Sequence, residues 1–280
     1  MEPGTQISFL GGGNMARAMI RGLLQRGFSA AQLRVGEPVA AQRDALQRDL
    51  GVTALADNAA AVRDADLVVL AVKPQYAVEL LAGLCPVLSQ GHALLLSIAA
   101  GLRIADLARC CPSLPIVRAM PNRAALVGQG AAALYAPATV GDAQRALAEQ
   151  VCAAAGSLVW VRKESDLDIV TAVSGSGPAY FFQLAEHLAA AAVAEGLDAV
   201  TAERLARQTL RGAGALAGGD TSLAAEREAV TSKGGTTAAA LAAFQAGGFG
   251  PLVAAAVAAA RRRSAELAEQ FGGGPAAPPR

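Results

Sequence analysis

Gln6-Ile7-Ser8-Phe9-Leu10 runs through Gly11-Gly12-Gly13 and Asn14-Met15-Ala16 into Ala18-Met19-Ile20-Arg21-Gly22-Leu23-Leu24. The first five residues read as a short apolar strand, and the last seven have helical spacing. Strand, glycine turn and helix in that order are the setting a dinucleotide fingerprint needs. Gly11 permits the tight turn, Gly13 lets backbone approach a pyrophosphate, and Ala16 keeps the helix close to the strand. Gly11, Gly13, Asn14, Met15 and Ala16 are therefore candidate cofactor contacts. The competing reading is a purely structural glycine turn.

The segments that follow continue a βαβ order. Leu33-Arg34-Val35-Gly36 is a second strand, with Glu37-Pro38 directly after it. An acid at this place accepts hydrogen bonds from the adenosine ribose and repels a 2′-phosphate, so Glu37 leans towards NAD. Arg34 and Arg43 lie close enough in sequence to oppose that lean, and Glu37 capping the next helix is the other reading. Asp66-Leu67-Val68-Val69-Leu70-Ala71-Val72 has the continuous apolar character of a parallel strand buried on both faces. It ends in Lys73-Pro74-Gln75, which places Val72, Lys73 and Pro74 beside the cofactor. Elsewhere such a lysine would simply be solvated. Two more strands span 93–98 and 115–120, the second leading into Pro121-Asn122-Arg123-Ala124-Ala125, where Asn122 is a further cofactor candidate. A last strand, 157–161, holds the chain's one tryptophan.

After Lys163 the β-branched runs stop and alanine-rich helical patterns take over. Ser174-Gly175-Ser176-Gly177-Pro178 interrupts them, with Pro178 suited to the first turn of a long helix. Ser232-Lys233-Gly234-Gly235-Thr236-Thr237 opens another helix. Free N–H groups and the positive dipole end make such a start an anion site, although an ordinary Thr-capped helix would look the same. The expected organisation is a dinucleotide-binding α/β domain over 1–163, an all-α domain over 164–271, and a disordered tail over 272–280. Ala-rich helices bury little by themselves, so the second half is expected to pair with another subunit.

Composition narrows the function classes. A net charge of +1 recruits neither nucleic acid nor an anionic membrane. The four cysteines form no CxxC pair and read as reduced thiols, and the two histidines lack ligand spacing, so no metal site is expected. No apolar run reaches membrane-spanning length and the first strand begins too early for a signal peptide, so a soluble, cytoplasmic protein is expected.

The fingerprint 11–16, Ala71-Val72-Lys73-Pro74-Gln75, Arg118-Ala119-Met120-Pro121-Asn122, the stretch Ala172 to Tyr180 and Glu228 to Thr237 together resemble pyrroline-5-carboxylate reductase. They occur in the right order over nearly the whole chain, and the last two are specific to that family. The resemblance implies a Rossmann-type domain followed by an all-α dimerisation domain. It implies reduction of 1-pyrroline-5-carboxylate to L-proline by NADPH or NADH in an interlocked dimer, often within a decamer. It places the Thr237 hydroxyl at the substrate nitrogen, and the backbone N–H groups of Gly234, Gly235, Thr236 and Thr237 at its carboxylate. Ser176, Gly177 and Ser232 line the same pocket.

Two positions depart from the family pattern: Arg123-Ala124 follows Asn122 where Thr-Pro is usual, and Lys233 stands where proline is usual. A β-hydroxyacid dehydrogenase would need a lysine on the long helix, but the lysines are Lys73, Lys163 and Lys233. A protein that only senses NAD(P) would have no use for the Ser-Gly-Ser-Gly-Pro and Gly-Gly-Thr-Thr segments together.

Overall fold

The computed structural model describes residues 4–272; of the tail expected over 272–280, Gly272 instead closes the last helix and the rest lies outside the described residues. Eight strands form one sheet in the order β3-β2-β1-β4-β5-β6-β7-β8. They are β1 (Ile7–Leu10), β2 (Leu33–Gly36), β3 (Thr53–Leu55), β4 (Leu67–Leu70), β5 (Leu94–Ser97), β6 (Ile116–Met120), β7 (Gly130–Tyr135) and β8 (Gly156–Trp160). The first six run parallel, β7 is antiparallel to β6, and β8 is parallel to β7.

The apolar runs are buried because both faces are covered. Alternate residues of each strand enter opposite cores. Ile7, Phe9, Val35, Val69 and Leu96 pack with α1 (Asn14–Gln25), α2 (Ala40–Leu50) and α6 (Asp142–Ala153). Leu10, Val68, Leu70, Leu95 and Ile116 pack with α3 (Asn58–Val62), α4 (Pro74–Leu88) and α5 (Ile104–Cys110). The strand order reverses between β1 and β4, which is where a doubly wound sheet opens a crevice at its carboxyl edge.

After β8 the chain is helical: α7 (Asp166–Val170), a π-turn over Thr171–Gly175, α8 (Gly177–Ala194), α9 (Ala199–Leu216), α10 (Leu223–Ala229), α11 (Thr236–Ala246) and α12 (Phe249–Gly272). The chain forms two compact units that divide after Gly175 rather than after residue 163, and the end of α12 from Ala260 belongs to the first. Polar contacts explain that grouping. Asp168 of α7 accepts from Arg103 (2.7 Å) and from Ser264 of α12 (2.8 Å). Glu164 accepts from buried Arg118 on β6 (2.7 Å) and from the Ile104 N–H (2.7 Å).

The helical unit, Ser176–Ala259, has a small core of its own, in which Ala189 of α8 meets Ala202 and Ala206 of α9. Phe181 and Phe182 stay 60% and 62% exposed, and Leu188, Leu205 and Leu252 are exposed as well. Alanine contacts supply little burial, and so much exposed apolar surface marks an association face.

Candidate active site

Pairing of β1 with β4 sets Leu10 opposite Leu70, so Gly11 and the Ala71-Val72-Lys73 segment leave the sheet side by side. Gly11 has φ +95°, and a Cβ there would come within 3.0 Å of Ala71 O and Val72 Cγ1, so only glycine fits. Its N–H donates to Gly36 O (2.8 Å). Gly13 caps α1 without a side chain, and a Cβ there would meet nothing within 4 Å. The first intrahelical bond runs from the Arg17 N–H to Gly13 O (3.0 Å), so the N–H groups of Asn14, Met15 and Ala16 precede the helical ladder. Ala16 is buried against the sheet. An open glycine approach followed by unspent N–H groups is the cradle a pyrophosphate requires, so these residues fit a dinucleotide.

Glu37, at the end of β2, accepts from the Gly12 N–H through Oε2 (3.0 Å) and from the Val39 N–H through Oε1 (3.0 Å). The carboxylate therefore stands against the fingerprint turn and holds it. Arg43 donates to Glu37 O (2.9 Å) and Pro38 O (2.8 Å), whereas Arg34 turns away to Arg63 O (3.0 Å). Lys73 caps α4 with its side chain exposed, and Pro74 takes the first helical position, where its missing N–H costs nothing. Ser97, the last residue of β5, is buried with its hydroxyl unpartnered among the described residues.

Asn122 behaves differently from a free cofactor ligand. It is buried, its Oδ1 accepts from the Ala131 N–H (3.1 Å), and its Nδ2 donates to Ser174 O (2.9 Å). Both ends of the amide are spent on tying the β6 loop to β7 and to the π-turn. Thr171 and Ser174 donate back to Leu167 O (2.7 Å) and Val170 O (3.1 Å), as hydroxyls do where a helix widens or bends. π-turns of this kind recur at functional sites. A Cβ on Gly175 would lie 3.0 Å from Met120 Cε, so the turn sits close against the end of β6. Arg123 is exposed and begins a short 3₁₀ turn, Arg123–Val127. The sequence names Asn122 but carries no signal for Ser174 as its partner, 52 residues away.

In the helical unit, Ser176 precedes α8, Gly177 is buried in its first turn, and Pro178 follows. Ser232 to Gly235 form a tight turn closed by the Gly235 N–H donating to Ser232 O (3.0 Å), with Gly234 at φ +72°. A Cβ on Gly235 would strike Ser232 Oγ at 2.3 Å. The Gly235 N–H is thus consumed by the turn. Gly235 caps α11 without a side chain, and the first helical bond runs from the Ala239 N–H to Gly235 O (3.2 Å). The N–H groups of Thr236, Thr237 and Ala238 therefore precede the helical ladder, the arrangement in which a helix start can take an anion. The Thr237 side chain is half-buried beside them.

Comparison with known proteins matches the α/β half and the helical half of the chain to different family models. Residues 6–101 match the family model for NADP oxidoreductases, coenzyme F420-dependent, and residues 164–267 match that for pyrroline-5-carboxylate reductase dimerisation. Among curated relatives, the pyrroline-5-carboxylate reductase of Haemophilus influenzae is 42% identical over 87% of this chain and 90% of its own. A solved pyrroline-5-carboxylate reductase from Coxiella burnetii superposes with TM-score 0.91 at 37% identity, over 95% of this chain and 99% of its own. A Plasmodium falciparum pyrroline carboxylate reductase with NADP bound gives TM-score 0.79 at 29% identity, over 94% of this chain and 98% of its own. The dimerisation model over the helical unit agrees with its exposed apolar face, and the chain oligomerises. Since the pyrroline-5-carboxylate reductase of Pseudomonas aeruginosa is 46% identical over 95% of this chain and 98% of its own, the chain belongs to the pyrroline-5-carboxylate reductase family and is an NAD(P)H-dependent oxidoreductase.

Proposed function

We propose that the chain reduces the C=N bond of 1-pyrroline-5-carboxylate to L-proline, the final step of proline biosynthesis, using NADPH or NADH. The observation that carries this reading is the start of α11. It offers unspent backbone N–H groups for a carboxylate and the Thr237 hydroxyl for the neighbouring ring nitrogen. The name shared by relatives that match nearly end to end supports the same substrate.

When bound, the reduced nicotinamide supplies a hydride to the ring carbon of the C=N bond. The substrate nitrogen enters protonated, as an iminium, and leaves as a secondary amine, so the chain needs no strong general acid. That suits a protein with two histidines, one of which, His92, is exposed and paired with Asp66 (2.8 Å). What remains for the protein is orientation and exclusion of water. The Thr236, Thr237 and Ala238 N–H groups hold the carboxylate, and Thr237 fixes the nitrogen. Ser176, Gly177, Ser232, Gly234 and Gly235 shape the pocket, the last two by making the turn. The nucleotide lies along Gly11, Gly13, Asn14, Met15 and Ala16, with Glu37, Val72, Lys73 and Pro74 beside it. The functional helical domain is 164–271, the range in which the dimerisation model falls, and it works as a cytoplasmic homodimer assembled further into a decamer. No single helix among the described residues is long and apolar enough to cross a membrane.

Thr237→Ala tests the assignment. Steady-state kinetics should show kcat/KM for pyrroline-5-carboxylate lower by at least about tenfold, roughly 1.4 kcal/mol of lost transition-state stabilisation, with the cofactor KM unchanged. Wild-type kcat/KM in that variant would sink it.

A further inference from the structure

Cys85 and Cys111 are 26 residues apart in sequence, with nothing in their spacing to pair them. The fold nevertheless sets Cys85 of α4 against Cys111, the residue that ends α5, with the two Sγ atoms 2.6 Å apart. That is well inside the separation of sulfurs in ordinary van der Waals contact. Ser89 Oγ lies 3.3 Å from the first sulfur and 3.5 Å from the second. Cys110 stands beside the pair but hydrogen-bonds through its own thiol to Asp106 O (3.4 Å). Both helices are anchored in the same apolar core, so the approach is built into the packing.

We propose that Cys85 and Cys111 form a dithiol site that closes into an intramolecular disulfide by exchange with a small-molecule disulfide such as oxidised glutathione. Cys85 is half-buried and Cys111 fully buried, so Cys85 meets the reagent first. Its thiolate attacks one sulfur of the glutathione disulfide and expels one glutathione thiolate. Cys111 then loses its proton, attacks the Cys85 sulfur and expels the second. Two S–H bonds are broken and one S–S bond forms in the protein, while the reagent is reduced to two thiols. Burial, the largest cause, holds the Cys111 thiol above its ordinary value and persists once Cys85 carries glutathione, so the second step is slow at neutral pH and faster as pH rises. Closure joins α4 to α5. It does so beside Arg109, which holds Gly272 O at the end of α12 (2.5 Å), and Phe271, which packs on the same core.

The test equilibrates the full-length, reduced protein with a glutathione redox buffer, quenches by alkylation under denaturing conditions, and reads intact mass, peptide map and melting temperature. The expected product is lighter by two hydrogens and yields a Cys85–Cys111 linked peptide, with Cys110 and Cys152 alkylated. Its Tm is several degrees above that of the reduced form, because the cross-link restricts the unfolded chain. Cys85→Ser, at the half-buried position, abolishes the linked product, and Cys110→Ser leaves it intact. Full alkylation of all four thiols, glutathione retained on Cys85, or a link through Cys110 would each overturn the proposal.

Discussion

Asn122→Ala separates two roles that the same residue could have beside a nicotinamide. If the side chain is a clamp, as its two hydrogen bonds indicate, the variant loses the Ala131 N–H contact at 3.1 Å and the Ser174 O contact at 2.9 Å together. Each bond contributes about 1 kcal/mol net, and the partly buried Ala131 N–H and Ser174 O left unpaired add some desolvation cost, so the total is roughly 2–4 kcal/mol. For a unit of this size that lowers Tm by about 5–15 °C. Catalysis should fall in kcat, because the π-turn over Thr171–Gly175 is no longer tied through Ser174 to the β6 loop. The KM for NADPH should change by less than about threefold, since no binding contact is removed. Asn122→Asp adds a finer test: it keeps the acceptor for Ala131 but faces Ser174 O with a second oxygen, so it should also lower Tm. Thermal melts and steady-state kinetics on both variants decide the matter. An unchanged Tm with a cofactor KM raised about tenfold would refute the clamp and make Asn122 a direct cofactor ligand.

Two further outcomes follow from close contacts. Glu37→Ser removes the carboxylate that braces Gly12 and Val39, and the NADPH/NADH ratio of kcat/KM should rise by about tenfold; an unmoved ratio means Glu37 does not set preference. Gly22→Ala adds helix propensity worth about 1 kcal/mol, but the new Cβ would sit 1.8 Å from Ala154 O on the backbone, so overpacking of about 3 kcal/mol or more wins and urea denaturation should show net destabilisation.

Most of the sheet is legible because its buried strands are unbroken apolar runs, and a run such as Leu67 to Leu70 has no other comfortable place. Two strands escape that reading for different reasons. Thr53-Ala54-Leu55 is too short to show a period. Gly130-Ala131-Ala132-Ala133-Leu134-Tyr135 has the composition of a helix and becomes a strand because β6 and β8 supply hydrogen-bond partners on both sides. The connection from Met120 to Gly130 is too short for a crossover helix, and β7 accordingly returns antiparallel. The site divides along the same line. Gly11 is readable because its requirement is local backbone geometry, and Gly13 because it sits at a fixed place between strand and helix. The Asn122–Ser174 and Cys85–Cys111 pairings come only from the fold, since sequence spacing holds no record of which distant residue a side chain meets.

Lys233, the departure that sequence leaves without explanation, has a backbone answer. Ser232 to Gly235 make a four-residue turn whose closing bond is Gly235 N–H to Ser232 O (3.0 Å). Gly234, the third residue, has φ +72°, while Asp64 is the one non-glycine residue with positive φ among the described residues, so Lys233 has negative φ. That combination is a type II turn, in which the second position favours proline and the third needs glycine. The turn therefore asks for backbone shape at position 233 rather than for a side chain, and lysine meets the demand with an exposed ammonium and a freer unfolded chain. Lys233→Pro should stabilise the protein by about 0.4–1 kcal/mol through the unfolded state, without disturbing the closing bond or the N–H groups of Thr236 and Thr237. Denaturant melts should show a higher midpoint at equal slope, and kcat should stay within about twofold. A variant that is less stable would mean that the 233 backbone is not in the geometry proline demands. A variant equally stable but with KM for the substrate raised about tenfold would assign the ammonium to the carboxylate, making position 233 a binding residue instead of a turn residue.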